Sequence, residues 1–381
     1  MFVQKINPPN LHEYLNALGS ESAGVKIMSA KGEQMFFQIH HLKTPAAQIL
    51  KQDSLSVGAD FALPRGAITH DSPYVDGILI ANARELERII QKCKIQPFGL
   101  QEVGIALQKH LSAKSFPLQI MGIINATEDS FFEGSRFLGE AAIRRIGEMI
   151  KEGADIIDIG GASTRPGSEW ISEEEELRRI TPIADSLADS PLLKEARFSI
   201  DTYNARVAEY CLDRGFHIIN DITALRDSRM LSLASERQCE VVIMHMQGES
   251  PRLMQQNPHY EHLLAEVDQF FCERIETLER ANVRKLVLDV GIGFGKNLEH
   301  NLKLIRHLSH FKHFGFPLLL GASRKSMIDK ISPASVQERL AGTLALHLEG
   351  YKAGGNIIRC HDVKEHVQAF KVLQALHEVG A

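Results

Sequence analysis

The residues best placed to do chemistry stand at the ends of short apolar runs. Leu286-Val287-Leu288 is such a run; it ends in a carboxylate, Asp289, and continues into Gly291, Gly293, Gly295 and Lys296. An apolar run of this length bounded by glycines reads as a strand buried on both faces. The glycines permit a sharp turn and a close approach of backbone to ligand. Two phosphate-binding signatures are excluded here, because the glycine spacing is tighter than a dinucleotide fingerprint and Asn297, not Ser or Thr, follows Lys296. Taken singly, the turn is equally a plain strand-to-helix connection. The arrangement recurs, however, at Asn125, at Gly160-Gly161 before Ser163-Thr164-Arg165-Pro166-Gly167, at Asp201-Thr202, Asn220-Asp221 and His245, at Ser323-Arg324-Lys325-Ser326, and at Arg359-Cys360-His361-Asp362. Each is open to a reading as a helix cap. That every unit delivers a polar group is poorly explained by caps alone.

By chemistry these groups form two sets. Asp201, Asn220, Asp289 and Lys325 offer acceptors and donors with little net charge, which suits a flat heterocycle carrying amide-like donors and ring-nitrogen acceptors. Asn125, Thr164, Arg165, Arg359 and His361 offer donors and positive charge for an anion, and Arg can hold phosphate oxygens in a bidentate fork. A heterocycle beside a phosphate is the implied substrate. His361 is also open to a reading as a structural histidine at a helix start, and Arg359 to pairing with Asp362.

The elements that must position these groups alternate in type. Beyond Pro117, apolar runs at 119–124, 156–159, 198–200, 217–219, 241–244, 286–288, 318–320 and 356–358 are separated by amphipathic helical stretches, the rhythm of βα units in a parallel sheet. The strand count and length predict a (β/α)8 TIM barrel in which strand ends converge on one mouth. An open doubly wound sheet is the alternative. Residues 1–115 read as a small α/β amino-terminal domain, with strands near 35–39 and 76–80 and helices at 83–92 and 100–111; residues 116–381 form the barrel. The turn-rich Leu63-Pro64-Arg65-Gly66 reads as a connection or a binding loop. A chain of 381 residues, 44% hydrophobic, is long enough for these two domains. Its net charge of -5 gives no general attraction to nucleic acid or an anionic membrane. The five cysteines are scattered without a Cys-x-x-Cys pair, which indicates neither a disulfide framework nor a zinc site and fits a cytoplasmic setting. No secretory signal or membrane-spanning run is evident.

The segments Met121-Gly122-Ile123-Ile124-Asn125 with Asp129-Ser130-Phe131, Ser163-Thr164-Arg165-Pro166-Gly167, Ser199-Ile200-Asp201-Thr202, Ile219-Asn220-Asp221-Ile222, Met244-His245-Met246-Gln247-Gly248, Gly293-Phe294-Gly295-Lys296, Ser323-Arg324-Lys325-Ser326 and Arg359-Cys360-His361-Asp362-Val363 resemble, in order, the motifs of the dihydropteroate synthase family. The resemblance runs from about Pro117 to the end. It implies a pterin-binding barrel of folate biosynthesis that joins 6-hydroxymethyl-7,8-dihydropterin diphosphate to p-aminobenzoate, releasing diphosphate. It further implies that Asp201, Asn220, Asp289 and Lys325 recognise the pterin, with Met244 on its ring. Asn125 is implied as a ligand of Mg2+ shared with the diphosphate, and Arg359 and His361 as the anion pocket. Thr164, Arg165 and Pro166, with Phe294, Lys325 and Ser326, are implied as the wall for p-aminobenzoate, and Arg359, His361, Lys325 and Asp201 as the catalytic group. A homodimer through the last barrel helices is implied as well, where Leu340, Leu344 and Leu348 share one face; packing of that face on the sheet is the alternative.

The expected chemistry is a dissociative substitution, in which diphosphate leaves before the aromatic amine attacks, with electrostatic stabilisation of the departing charge. The chain departs from the family pattern at Ala126, Glu128, Phe132 and Val290, two of which replace prolines and free the backbone. The amino-terminal domain does not resemble the pyrophosphokinase fused to some synthases, so the sequence implies no second activity. Related readings are a folate-dependent methyltransferase barrel and a pterin-binding protein without chemistry; diphosphate release that depends on p-aminobenzoate separates them.

Overall fold

The computed structural model describes residues 1–6, 10–126, 135–162, 171–248 and 258–378. Thr164, Arg165 and Pro166, and the first-loop residues Glu128, Asp129, Ser130, Phe131 and Phe132, lie outside the described residues. The chain divides into two compact units, Met1–Ala113 with Val372–Ala381, and Lys114–Lys371.

The first unit carries helices α1 (Leu11–Ala17) and α2 (Ser22–Ser29), strand β1 (Gln34–Lys43), helix α3 (Thr44–Leu55), strands β2 (Asp60–Ala62) and β3 (Tyr74–Asn82), and helices α4 (Ala83–Cys93) and α5 (Leu100–Leu111). Its antiparallel sheet has the order β1-β3-β2. Ala46, Ala47 and Leu50 of α3 and Leu86, Ile89 and Ile90 of α4 form its core with Phe61 and Leu79 of the sheet. Asn82 ends β3 and caps α4: its side chain accepts from Glu85 N at 3.1 Å, while Glu85 Oε2 accepts from Asn82 N at 2.9 Å. The expected strands and the helices α4 and α5 are present; α1, α2, α3 and β2 are additional. Helix α3 is hard to read because alanines make much of its buried face, and β2 has three residues.

The second unit is a closed barrel of eight parallel strands in the order β10-β11-β4-β5-β6-β7-β8-β9, which excludes the open sheet. In chain order these are β4 (Gln119–Asn125), β5 (Ile156–Gly160), β6 (Arg197–Asp201), β7 (Ile218–Asp221), β8 (Glu240–Met244), β9 (Leu286–Asp289), β10 (Leu318–Leu320) and β11 (Ile357–Cys360). The intervening helices are α6 (Ser135–Glu152), α7 (Glu173–Ala188), α8 (Ala205–Leu212), α9 (Ser228–Arg237), α10 (Leu263–Arg280), α11 (Leu298–Arg306), α12 (Ser326–Ile331) and α13 (Leu340–Lys352), and α14 (Val363–Glu378) follows β11. Met121, Ile156, Ile218, Val242, Val287, Leu319 and Ile357 make one apolar cluster, each from a different strand. Side chains two apart on a strand share a face. The next inward position above Ile156 is therefore Asp158, above Ile218 Asn220, above Val242 Met244, above Val287 Asp289 and above Ile357 Arg359. The alternation that fills the barrel thus lifts the polar groups to its carboxyl-terminal mouth. Among the described residues no helix is long and apolar enough to cross a membrane.

Candidate active site

Arg359 joins the strand ends. Its Nε donates to Asp158 Oδ2 at 2.6 Å and its Nη2 to Asp201 Oδ2 at 2.7 Å. Asn220 Nδ2 donates to the same Asp158 oxygen at 3.1 Å. Burial opposes the charge on Arg359, but the two carboxylates outweigh it and hold the guanidinium protonated. Burial holds the Asp201 carboxyl above the usual carboxylate range; Arg359 opposes this and Asp158 adds to it. One positive charge therefore serves two buried acids. The remaining oxygens, Asp158 Oδ1 and Asp201 Oδ1, are buried with no hydrogen-bond partner among the described residues. Such acceptors fit a ligand that brings N–H donors. Asp158 escapes the sequence reading because it stands inside an apolar strand and not at its end; a lone acid within Ile156-Ile157-Asp158-Ile159 is the signal that could have found it.

Asp289 accepts from Gly291 N at 2.8 Å, and burial raises its pKa against the pull of that N–H and of Lys325. The turn after β9 requires its glycines. Gly291 has φ +70°, and a Cβ there would lie 2.0 Å from His245 O. The turn brings Phe294 beneath Lys325, whose Nζ is 4.6 Å from the ring centroid and donates to Ile292 O. Burial pushes the Lys325 ammonium down to about 8, with Asp289 opposing. Phe294 and Tyr203 pack on Ile222, Met244 and Met246, an apolar wall beside the acids. Lys296 turns away into the protein: its Nζ meets Phe294 O at 2.9 Å, His245 Nδ1 at 3.0 Å and His245 O at 3.1 Å. Burial pushes it down to about 7.

The loops after β10 and β11 are tied to each other. His361 N donates to Ser323 Oγ at 3.3 Å, and His361 Nδ1 lies 2.9 Å from the same oxygen. Asp362 pairs with Arg324, not with Arg359. Arg324 has φ +56°, a left-handed conformation held in place by Asp362 and by Thr343 Oγ1, which accepts from its N–H at 3.0 Å. Ser326 opens α12 and is exposed. Asn125 ends β4 opposite Gly160 of β5. Arg359, read from the sequence with the anion set, is thus bonded to Asp201, read with the heterocycle set.

A family model described as "Pterin binding enzyme" matches residues 121–361. The chain is 44% identical over 379 residues to the Bifunctional dihydropteroate synthase/dihydropteroate reductase of Helicobacter pylori, covering 99% of this chain and 100% of the relative. It is 44% identical over 259 residues to the Dihydropteroate synthase of Escherichia coli strain K12, 67% of this chain and 90% of that protein. The crystal structure of Yersinia pestis Dihydropteroate Synthase with a sulfonamide drug complex superposes with a TM-score of 0.65 at 39% identity, over 70% of this chain and 99% of that one. An eight-stranded barrel with these strand ends and these relatives belongs to the pterin-binding enzyme family, as a dihydropteroate synthase, a transferase of folate biosynthesis.

Proposed function

We propose that Asp158, Asp201, Asn220, Asp289 and Lys325 hold the pterin, with Met244 and Phe294 against its ring. The observation that carries this is the pair of buried, unpartnered oxygens on Asp158 and Asp201, which match the N–H donors of an aminopyrimidine edge, beside an apolar wall that matches its face. Lys325 donates to the ring acceptors, and its ammonium also lies beside Phe294 at the edge of the p-aminobenzoate site, where Thr164, Arg165, Pro166 and Ser326 complete the wall. Arg359 uses two of its N–H groups on the acids and has others for diphosphate oxygens. His361, oriented by Ser323, adds a second donor.

Asn125 carries a neutral hard oxygen at a strand end, which would serve as one ligand of Mg2+. When bound, the ion neutralises charge on the departing diphosphate. The chain's own residues stabilise the same charge through Arg359 and His361, while the acids below favour the positive charge that develops on the pterin methylene. Diphosphate then leaves before the amine attacks, and positioning accounts for much of the remaining rate. The test is a joint assay of diphosphate and dihydropteroate, paired with pterin binding, for Asp201→Asn and His361→Ala. Asp201→Asn is expected to weaken pterin binding, and His361→Ala to slow turnover with pterin affinity kept; equal losses in both parameters for His361→Ala would remove it from the anion pocket.

The match to the Helicobacter relative over nearly the whole chain favours a second reading, that this chain also reduces dihydropteroate. Reduction adds a hydride and a proton across one C=N bond of the dihydropterin, so a hydride donor is required. Consumption of reduced nicotinamide, with or without a flavin, that depends on dihydropteroate would establish it, and its absence would leave the synthase alone. A homodimer is supported by α13, whose most buried positions are Thr343, His347 and Gly350, while Leu340, Leu344 and Leu348 are only half-buried. The five cysteines, none of them in a disulfide among the described residues, support a cytoplasmic setting.

A further inference from the structure

In the helical shell of the barrel, α11 runs into 3₁₀ turns at Leu308–Phe314, where histidines recur at every third position, His307, His310 and His313. A 3₁₀ helix has three residues per turn, so residues three apart eclipse one another. His310 and His313 accordingly stand together, with ring centroids 5.2 Å apart. Opposite them is Asp268, in the second turn of α10. His310 Nε2 lies 3.1 Å, and His313 Nε2 2.5 Å, from Asp268 Oδ1. The three donor atoms all fall within 4.8 Å of one another. Asp268 Oδ2 faces the Cys272 thiol, one helical turn on, at 3.8 Å. Beneath the cluster, Phe271 of α10 meets Phe311 edge-on with centroids 5.9 Å apart, which sets α10 against the 3₁₀ turns. The His313 side chain is 9% exposed, that of Asp268 26% and that of His310 32%, so the cluster is walled by protein yet reachable from solvent.

Two imidazoles and a carboxylate converging on one point are a ligand set for a borderline divalent cation. Zn2+ binds such atoms at about 2.0–2.2 Å in a tetrahedron, which places them about 3.3 Å apart. The His310–Asp268 spacing is close to that already, and the His313–Asp268 pair has to open by less than about 1 Å. Nitrogen donors set the cluster apart from a Mg2+ site, which favours oxygen ligands in an octahedron.

We propose that Asp268, His310 and His313 form a binding site for Zn2+ or a like transition-metal ion, with the fourth position taken by water, which staples α10 to the turn that leads into β10. The site shares no residue with the barrel mouth. The test uses the full chain, prepared without a polyhistidine tag, freed of metal with a chelator, and titrated with Zn2+ by calorimetry and with Co2+ by visible absorption. The expected result is one Zn2+ per chain, tetrahedral Co2+ bands that Zn2+ displaces, a rise in the thermal midpoint on adding Zn2+, and a loss of at least about tenfold in affinity in Asp268→Asn and in His310→Asn. Asp268→Asn preserves volume, His310→Asn leaves a smaller polar side chain, both at partly exposed positions, and circular dichroism checks that each variant is folded. Lack of saturable binding by the unaltered chain, or affinity unchanged by either substitution, overturns the site.

Discussion

Arg359 is bonded to Asp158 through Nε and to Asp201 through Nη2, so the two acids are not equivalent to a pair of free carboxylates. Asp158→Asn leaves the Asp201 bond in place and removes a charged acceptor. A hydrogen bond to a charged group is worth about 1.5–3 kcal/mol, so pterin affinity is expected to fall roughly 10- to 100-fold. Calorimetric titration with a pterin reads this directly, and unchanged affinity would take Asp158 out of the binding surface. Lys296 gives a separate signature in pH. Its unfolded form titrates near 10.4, whereas burial pushes the folded group down to about 7. Between those values the unfolded chain holds the extra proton, so raising the pH favours the folded state. Stability is therefore expected to gain a rising component from pH 7 to 10 that Lys296→Met lacks. Denaturant melts of both chains across that range decide it; parallel curves would mean that the lysine titrates normally.

At the level of elements, α13 and α14 brace the loops that carry Lys325 and His361. Ala322 N donates to His347 Nε2 at 3.0 Å. A backbone N–H can only donate, so the imidazole proton sits on Nδ1. From there it bonds His366 Nε2 at 2.8 Å, and His366 Nδ1 in turn donates to Asp362 O at 2.6 Å. Burial lowers the pKa of both rings, which keeps them neutral as this chain of donors requires. The relay links the loop after β10 to the loop after β11. His366→Leu strands a buried N–H, expected to cost about 1–3 kcal/mol, and it loosens the seat of His361. The measurable outcome is a lower denaturation midpoint together with slower turnover, while pterin affinity, for which Asp158, Asp201 and Asn220 of β5, β6 and β7 are proposed beside Asp289 and Lys325, is expected to change less. An unchanged midpoint would show that His347 finds another acceptor.

At the level of the whole molecule the two units make different demands. The Escherichia coli relative matches only 67% of this chain yet is itself covered to 90%, so a barrel of this kind is nearly a complete synthase. A chain beginning at Lys114 is therefore expected to keep dihydropteroate formation at close to the full-length rate. Loss of that activity in a folded truncated chain would show that the first unit contributes to synthesis. If the second reading holds, dihydropteroate-dependent oxidation of nicotinamide disappears in the same truncated chain. That comparison assigns each unit its part.

Strand positions and most of the polar strand ends are legible from the sequence because a strand of a parallel barrel is apolar on both faces and ends where the polarity changes, a local pattern. The same holds for Gly291, whose place two residues after Asp289 signals a turn that no side chain can fill. The first unit is less legible, since α3 buries alanines and β2 spans three residues, and both depend on neighbours for their stability. Which charges meet is decided by tertiary structure alone. Arg359 reaches partners 158 and 201 residues away, passing over Asp362 three positions on, which Arg324 has taken. Asp158 acquires its role only because barrel closure sets β5 two strands from β11. Coulombic pairing depends on distance in space, and the spacing of residues along the chain carries no record of it.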